Sequence, residues 1–295
     1  MSETVLITGA AGQLGRIVLD RVLASGKVAP ASVIAASRDP SKLADYAARG
    51  VAVRKVDFDD PAALPAAFAG TDRVLIISTD AIGEPGKRLA QHVAAVEAAA
   101  SAGAKRILYT SMPQPDDSAV TFASDHLGTE NAIKATGIPY TIVRNGWYME
   151  NLFMALPHAL QAGQWFSSAG DGRIAHVARQ DVGAAIAAGL LAADEKSRIY
   201  TLTGATAYTT EEIAAAASRA TGRPLRVVHV TDDQLAGGLK AAGLPDFMVP
   251  TVVSFDTNTR EGRIAMATGD VEELTGDKPL GLDAFLAENA KALLA

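Results

Sequence analysis

The sequence predicts an α/β protein with a doubly wound parallel sheet and a smaller C-terminal α/β lobe for the substrate. Two observations carry that reading. The apolar run Val5-Leu6-Ile7 is followed at once by Thr8-Gly9-Ala10-Ala11-Gly12-Gln13-Leu14-Gly15, a buried strand, a glycine turn and a helix start. Further strand-like runs recur at residues 33–36, 51–56, 73–78, 106–110 and 140–144, separated by alanine-rich stretches of helix length. That alternation places parallel strands between two helical layers.

Each element has a local reason. Glycine at position 9 permits a sharp reversal, glycine at 12 lets a pyrophosphate approach the backbone, and glycine at 15 lets the helix pack close to the strand. The amides of the helix start, Ala11 to Leu14, then face the phosphates. This is the dinucleotide cradle of a Rossmann-type sheet. After the second strand come Ser37 and Arg38. A carboxylate there would bind a ribose 2′-hydroxyl, whereas an arginine accepts a 2′-phosphate, so the expected cofactor is NADPH (NADP). Asp39 precedes Pro40, Ser41 and Lys42 and is expected to cap a helix that begins at the proline. Lys42 is a second candidate cation.

Ligands of such a sheet sit outside the carboxyl ends of its strands. The residues placed there are Asp57-Phe58, Ser78-Thr79, Tyr109-Thr110-Ser111 and Asn145-Gly146. Asp57 either holds a turn or meets the adenine edge; Ser78 and Thr79 bond either to a ribose or to their own backbone. Residues 61–68, after Asp59-Asp60, suit a short capped helix, and residues 86–102 a long one ending at Gly103. A helix over 181–193 and a strand over 198–203 return later in the chain. The nucleotide domain is therefore expected to comprise residues 1–150 with about 176–204, and the substrate lobe most of 151–295.

Composition narrows the function. A formal charge of −6, with no dense basic run, argues against a nucleic-acid partner. No uncharged run is long enough to span a bilayer and no leader is evident, so the expected location is cytoplasmic. The absence of cysteine removes disulfides, thiolate catalysis and cysteine-ligated metals. The five histidines, His92, His126, His158, His176 and His229, show no metal-ligand spacing, and no metal is expected.

The glycine motif, Ser37-Arg38, Val56-Asp57-Phe58, Tyr109-Thr110-Ser111, and above all Val143-Arg144-Asn145-Gly146-Trp147-Tyr148-Met149-Glu150-Asn151 together resemble NmrA-like atypical short-chain dehydrogenases, in the branch of NADPH-dependent quinone oxidoreductase type 2 and triphenylmethane reductase. The resemblance covers nearly the whole chain. It implies hydride transfer from NADPH to a quinone or dye. Asn145 and Gly146 would lie near the nicotinamide, with Gly146 leaving open space for a flat ring, and Trp147 or Tyr148 near the acceptor. Ordinary short-chain dehydrogenases move a proton with a tyrosine and a lysine four residues apart. The segment Asp125-His126-Leu127-Gly128-Thr129-Glu130 offers His126 and Glu130 instead, on one helix face, either as a solvated pair or with His126 or Glu130 taking a direct part in proton transfer. The other function compatible with the missing pair is an NADP-binding redox sensor without turnover. The partners expected are the small-molecule acceptor and, in a homodimer, a second copy.

Overall fold

The computed structural model describes residues 3–193 and 196–295. The chain folds as two compact units. The first comprises Met1–Met112, Ser124–Arg144 and Val182–Tyr200, and the second Pro113–Ala123, Asn145–Asp181 and Thr201–Ala295; Met1, Ser2, Asp194 and Glu195 lie outside the described residues. The division differs from the expected 1–150 with about 176–204, because 113–123, 145–150, 176–181 and 201–204 belong to the second unit.

The strands are β1 (Val5–Ile7), β2 (Val33–Ser37), β3 (Ala52–Lys55), β4 (Arg73–Ile76), β5 (Arg106–Ser111), β6 (Tyr140–Asn145), β7 (Gln164–Ser167), β8 (Arg198–Leu202) and β9 (Arg226–His229). Seven form the predicted Rossmann-type sheet in the order β3-β2-β1-β4-β5-β6-β8, while β7 and β9 form a separate pair. Val5 lies opposite Val33 of β2 and Arg73 of β4, both in parallel register. The strand order reverses between β1 and β4, which puts the ligand crevice outside their carboxyl ends.

The helices are α1 (Gln13–Ala24), α2 (Ala44–Ala47), α3 (Leu64–Phe68), α4 (Lys87–Ser101), α5 (Ala123–Ala135), α6 (Leu156–Ala162), α7 (Arg179–Leu190), α8 (Thr210–Thr221), α9 (Asp232–Ala241), α10 (Val249–Arg260), α11 (Asp270–Thr275), α12 (Leu282–Glu288) and α13 (Ala290–Leu293). In α1 the buried positions Gly15, Val18, Leu19 and Val22 form the stripe expected of a helix lying on a sheet. The helix expected from Pro61 begins only at Leu64. Pro65 lacks the amide that would bond back to residue 61, and the preceding stretch closes with short-range turns, Ala63 N–H to Asp60 O at 3.1 Å and Leu64 N–H to Pro61 O at 3.4 Å.

Two apolar cores follow the two units. Leu6, Ile34, Phe68, Ile76, Val96 and Ile107 are among the residues that fill the first, and Leu152, Leu160, Ile213, Ile264, Phe285 and Leu286 are among those of the second. No helix among the described residues is long and apolar enough to cross a membrane.

Candidate functional site

The first unit holds a cavity of about 410 Å³ at the carboxyl ends of β1 to β4, lined by Thr8, Gly9, Ala11 and Gly12, by Ser37 to Asp39 and Lys42, by Val56 to Phe58, and by Ile77 to Asp80 with Gln91. Its floor is the glycine turn. Gly9 has φ +62°, and a Cβ at Gly15 would stand 2.2 Å from the Gly9 carbonyl oxygen and 2.8 Å from Ala10 Cα. Only glycine at 15 lets α1 start this close to β1. Gly12 caps α1 without a side-chain hydrogen bond, and no acidic residue occupies the first turn, so the positive end of the helix is left to a ligand. These features fit a dinucleotide's phosphates.

Arg38 and Lys42 are exposed at the cavity's edge. Asp39 is turned to capping, as expected: its Oδ1 accepts from the Ser41 amide at 3.1 Å and the Ser41 hydroxyl at 2.6 Å, and these bonds lower its pKa. The carboxylate that could compete for a ribose hydroxyl is thus committed to its own backbone turn. Asp57 makes such a turn too, accepting from Asp59 N–H at 3.1 Å, while still lining the cavity beside Phe58.

The strand expected over 73–78 stops at Ile76, and the reason is chemical. The next three backbone amides donate to side chains instead of the ladder: Ile77 N–H to Thr8 Oγ1 at 3.0 Å, Ser78 N–H to Thr110 Oγ1 at 2.8 Å, and Thr79 N–H to His92 Nε2 at 2.9 Å. Thr110 is buried behind Ser78 and supports the cavity wall rather than forming it. Gln13, Leu14 and Gly15 likewise lie outside the cavity lining.

His126 and Glu130 are not a solvated pair. They are 3% and 0% exposed. Glu130 accepts from Arg144 at 2.8 and 2.9 Å, from Ser111 at 2.8 Å and from Lys134 at 3.2 Å. Burial alone would raise its pKa, but the bonds from Arg144 and Ser111 outweigh that and lower it. His126 sits between Arg88 and Tyr109 and lines neither principal cavity. His92, unremarkable in the sequence, stands 6.4 Å from it between ring centroids.

In the second unit, the Trp147 ring packs edge-on against Phe255 at 4.3 Å. They share the lining of an apolar cavity of about 330 Å³ with Leu152, Leu235, Leu239, Ile264 and others. One polar group there stands out. His176 is 6% exposed, burial lowers its pKa to about 4, and among the described residues its Nδ1 makes no hydrogen bond. A mostly apolar cavity with few polar groups is the usual form of a small-molecule pocket.

At the end of β6, Asn145 donates from Nδ2 to Tyr148 Oη at 3.3 Å, and its buried Oδ1 has no partner among the described residues. The Arg179 guanidinium lies 4.8 Å from the Tyr148 ring centroid, and burial pushes the Tyr148 hydroxyl up to about 12. Gly146 differs from the expectation of open space. A Cβ there would meet the Leu202 carbonyl oxygen at 2.8 Å, the same oxygen that accepts from Gly146 N–H at 2.8 Å. Its missing side chain is required by backbone packing.

The NmrA-like family profile matches residues 1–286. Quinone oxidoreductase 2 of Escherichia coli (strain K12) is 36% identical over 273 residues, spanning 92% of this chain and 93% of its own. Among solved structures, the E. coli NADPH-dependent quinone oxidoreductase complexed with NADPH aligns with a TM-score of 0.91 at 34% identity, covering 99% of this chain and 100% of that one. The Citrobacter sp. triphenylmethane reductase complexed with NADP(H) aligns with a TM-score of 0.89 at 30% identity, covering 97% and 100%. The chain belongs to the NmrA-like family.

Proposed function

We propose that this protein is an NADPH-dependent oxidoreductase that passes a hydride to a quinone or a similar flat conjugated acceptor. The observation that carries the cofactor half is the glycine cradle with Arg38 at its edge and Asp39 tied into a cap. The acceptor half rests on the relatives' named substrates and on the apolar, Trp147-lined cavity.

NADPH, when bound, supplies the hydride. The chain's own residues bind and orient. Gly9, Gly12 and Gly15 keep the turn flat against the phosphates, and Ala11, Gln13 and Leu14 contribute helix-start amides. Arg38, with Lys42, takes the 2′-phosphate, while Ser37, Asp57, Phe58, Ser78 and Thr79 close the remaining wall. Asn145 offers a buried acceptor to the nicotinamide, and of Trp147 and Tyr148 it is Trp147, which lines the apolar cavity, that faces the acceptor. A quinone that gains a hydride becomes a delocalised hydroquinone anion, which takes its proton from water; a tyrosine–lysine relay is not needed. His126, enclosed by Arg88 and Tyr109, is no proton donor in this scheme. A cytoplasmic location and a homodimer belong to the same reading, and light scattering of the purified protein reads the second.

Two substitutions test the halves separately. Arg38→Asp should erase or invert the preference for NADPH over NADH, since the charge-assisted contact it removes is worth about 1.5–3 kcal/mol, roughly 10- to 100-fold in affinity. Calorimetric titration of both nucleotides reads this, and equal affinities in the parent would refute the role of Arg38. Trp147→Ala should lower quinone-dependent kcat/KM by about 100-fold through misplacement of the acceptor, with the Kd for NADPH changed less than about threefold. Unchanged turnover would remove Trp147 from the acceptor site.

A further inference from the structure

We propose that Arg88, His92, Tyr109 and His126 form a positioning network that fixes the Ser78–Thr79 wall of the nucleotide cavity and thereby sets its affinity for the cofactor. The inference rests on the reading that this cavity takes NADPH.

The hydrogen bonds fix which nitrogen of each imidazole carries its proton. Thr79 is held at both backbone groups by side chains one turn apart on α4: its N–H donates to His92 Nε2 at 2.9 Å, and its carbonyl accepts from Arg88 Nε at 2.8 Å. Its hydroxyl donates to Gln91 Oε1 at 2.7 Å. Because His92 Nε2 accepts, the proton of the neutral ring is on Nδ1, which faces Thr129 Oγ1 at 3.0 Å. The Thr129 hydroxyl passes its own proton to the Asp125 carbonyl at 2.6 Å. On the other side, a guanidinium can only donate, so the 3.0 Å contact from Arg88 Nη2 makes His126 Nε2 an acceptor. The His126 proton is then on Nδ1, 2.8 Å from Tyr109 Oη.

Both imidazoles are held neutral, chiefly by burial and secondarily by the Arg88 charge. A proton added to His126 would set an N–H against Arg88, and one added to His92 would set an N–H against the Thr79 amide. The result is a rigid wall. With Ile77 and Ser78 tied to Thr8 and Thr110, three successive amides are aimed by side chains from three different segments of the chain. Thr79 and Gln91 also line the cavity, so the ligand meets a surface whose ordering cost is already met.

The test combines NADPH affinity with hydrogen exchange at single amides. His92→Leu removes the acceptor for Thr79 N–H; it should raise the Kd for NADPH about tenfold and speed exchange at the Thr79 amide, leaving the β1 amides protected. His92→Gln, whose amide oxygen can accept from Thr79, should recover most of both. Tyr109→Phe deletes one hydroxyl without opening a cavity and should shift both readouts the same way, about threefold. Two outcomes overturn the network: a Kd in folded His92→Leu within twofold of the parent, or equal loss in the Leu and Gln variants together with lost protection throughout the sheet, which marks a merely structural role. A parent protein that fails to bind NADPH overturns instead the cofactor reading beneath it.

Discussion

Gly15→Ala is expected to weaken NADPH binding by about 100-fold or more, equivalent to roughly 3 kcal/mol. The new Cβ would lie 2.2 Å from the Gly9 carbonyl oxygen and 2.8 Å from Ala10 Cα. Both are backbone atoms, so no side chain can swing aside. Either α1 backs away from β1 or the Gly9–Ala10 turn is displaced, and each movement takes the helix-start amides away from the phosphates. Gly237→Ala is the matched control: it changes an exposed glycine of α9 with nothing near its Cβ and should leave NADPH affinity unchanged while raising stability by up to about 1 kcal/mol. Calorimetric titration of both variants checks this, and parent-like binding by Gly15→Ala would refute the cradle.

Lowering the pH from 7.5 to 5 is expected to remove on the order of 4 kcal/mol of folding stability, a large share of the stability of an ordinary domain. Three buried histidines cause it. Burial, with the Arg88 charge adding to it, lowers His92 to about 3 and His126 well below 6.5, and burial alone lowers His176 to about 4. A depressed folded-state pKa means that the unfolded chain binds protons first. The stability these groups contribute is full above about 6.5 and is lost as the pH falls toward their folded values, about 2 kcal/mol each for His92 and His176 by pH 5, with His126 acting in the same direction. Asp125 and Asp256, whose pKa values burial raises, act in the opposite sense and offset part of the loss. Urea unfolding at the two pH values measures the difference; an unchanged midpoint would show that the three rings accept protons in the folded state.

What the sequence makes legible is what lies close together along the chain. The glycine turn and the Arg38 edge are each formed by a few consecutive residues whose backbone demands are local, and Gly9, Ala11, Gly12 and Arg38 line one cavity. The Asp39 cap is equally local: donor and acceptor are two residues apart. The early end of β4 was not legible, because the side chains that withdraw its following amides, Thr8, Thr110 and His92, come from three distant segments.

The same holds for the pairing of His92 with His126, which only the packing of α4 and α5 brings together. Four-residue spacing correctly placed His126 and Glu130 on one face of α5, but spacing carries no information on whether that face is wet. The Arg144 and Arg88 partners decide it. Gly146 illustrates a different failure. A glycine after a strand reads as room for a ligand, yet here the Leu202 carbonyl occupies that room.

Hydride transfer to a quinone is tested most directly by the stoichiometry of quinone-dependent NADPH oxidation under anaerobic conditions, with a benzoquinone and a naphthoquinone as acceptors. Hydride transfer followed by protonation from water consumes one NADPH, one quinone and one proton and yields one NADP⁺ and one hydroquinone. NADPH loss is expected to depend on both protein and quinone and to match hydroquinone formed one to one. NADPH that binds but is not consumed with either quinone would contradict it and mark the protein as a nucleotide sensor.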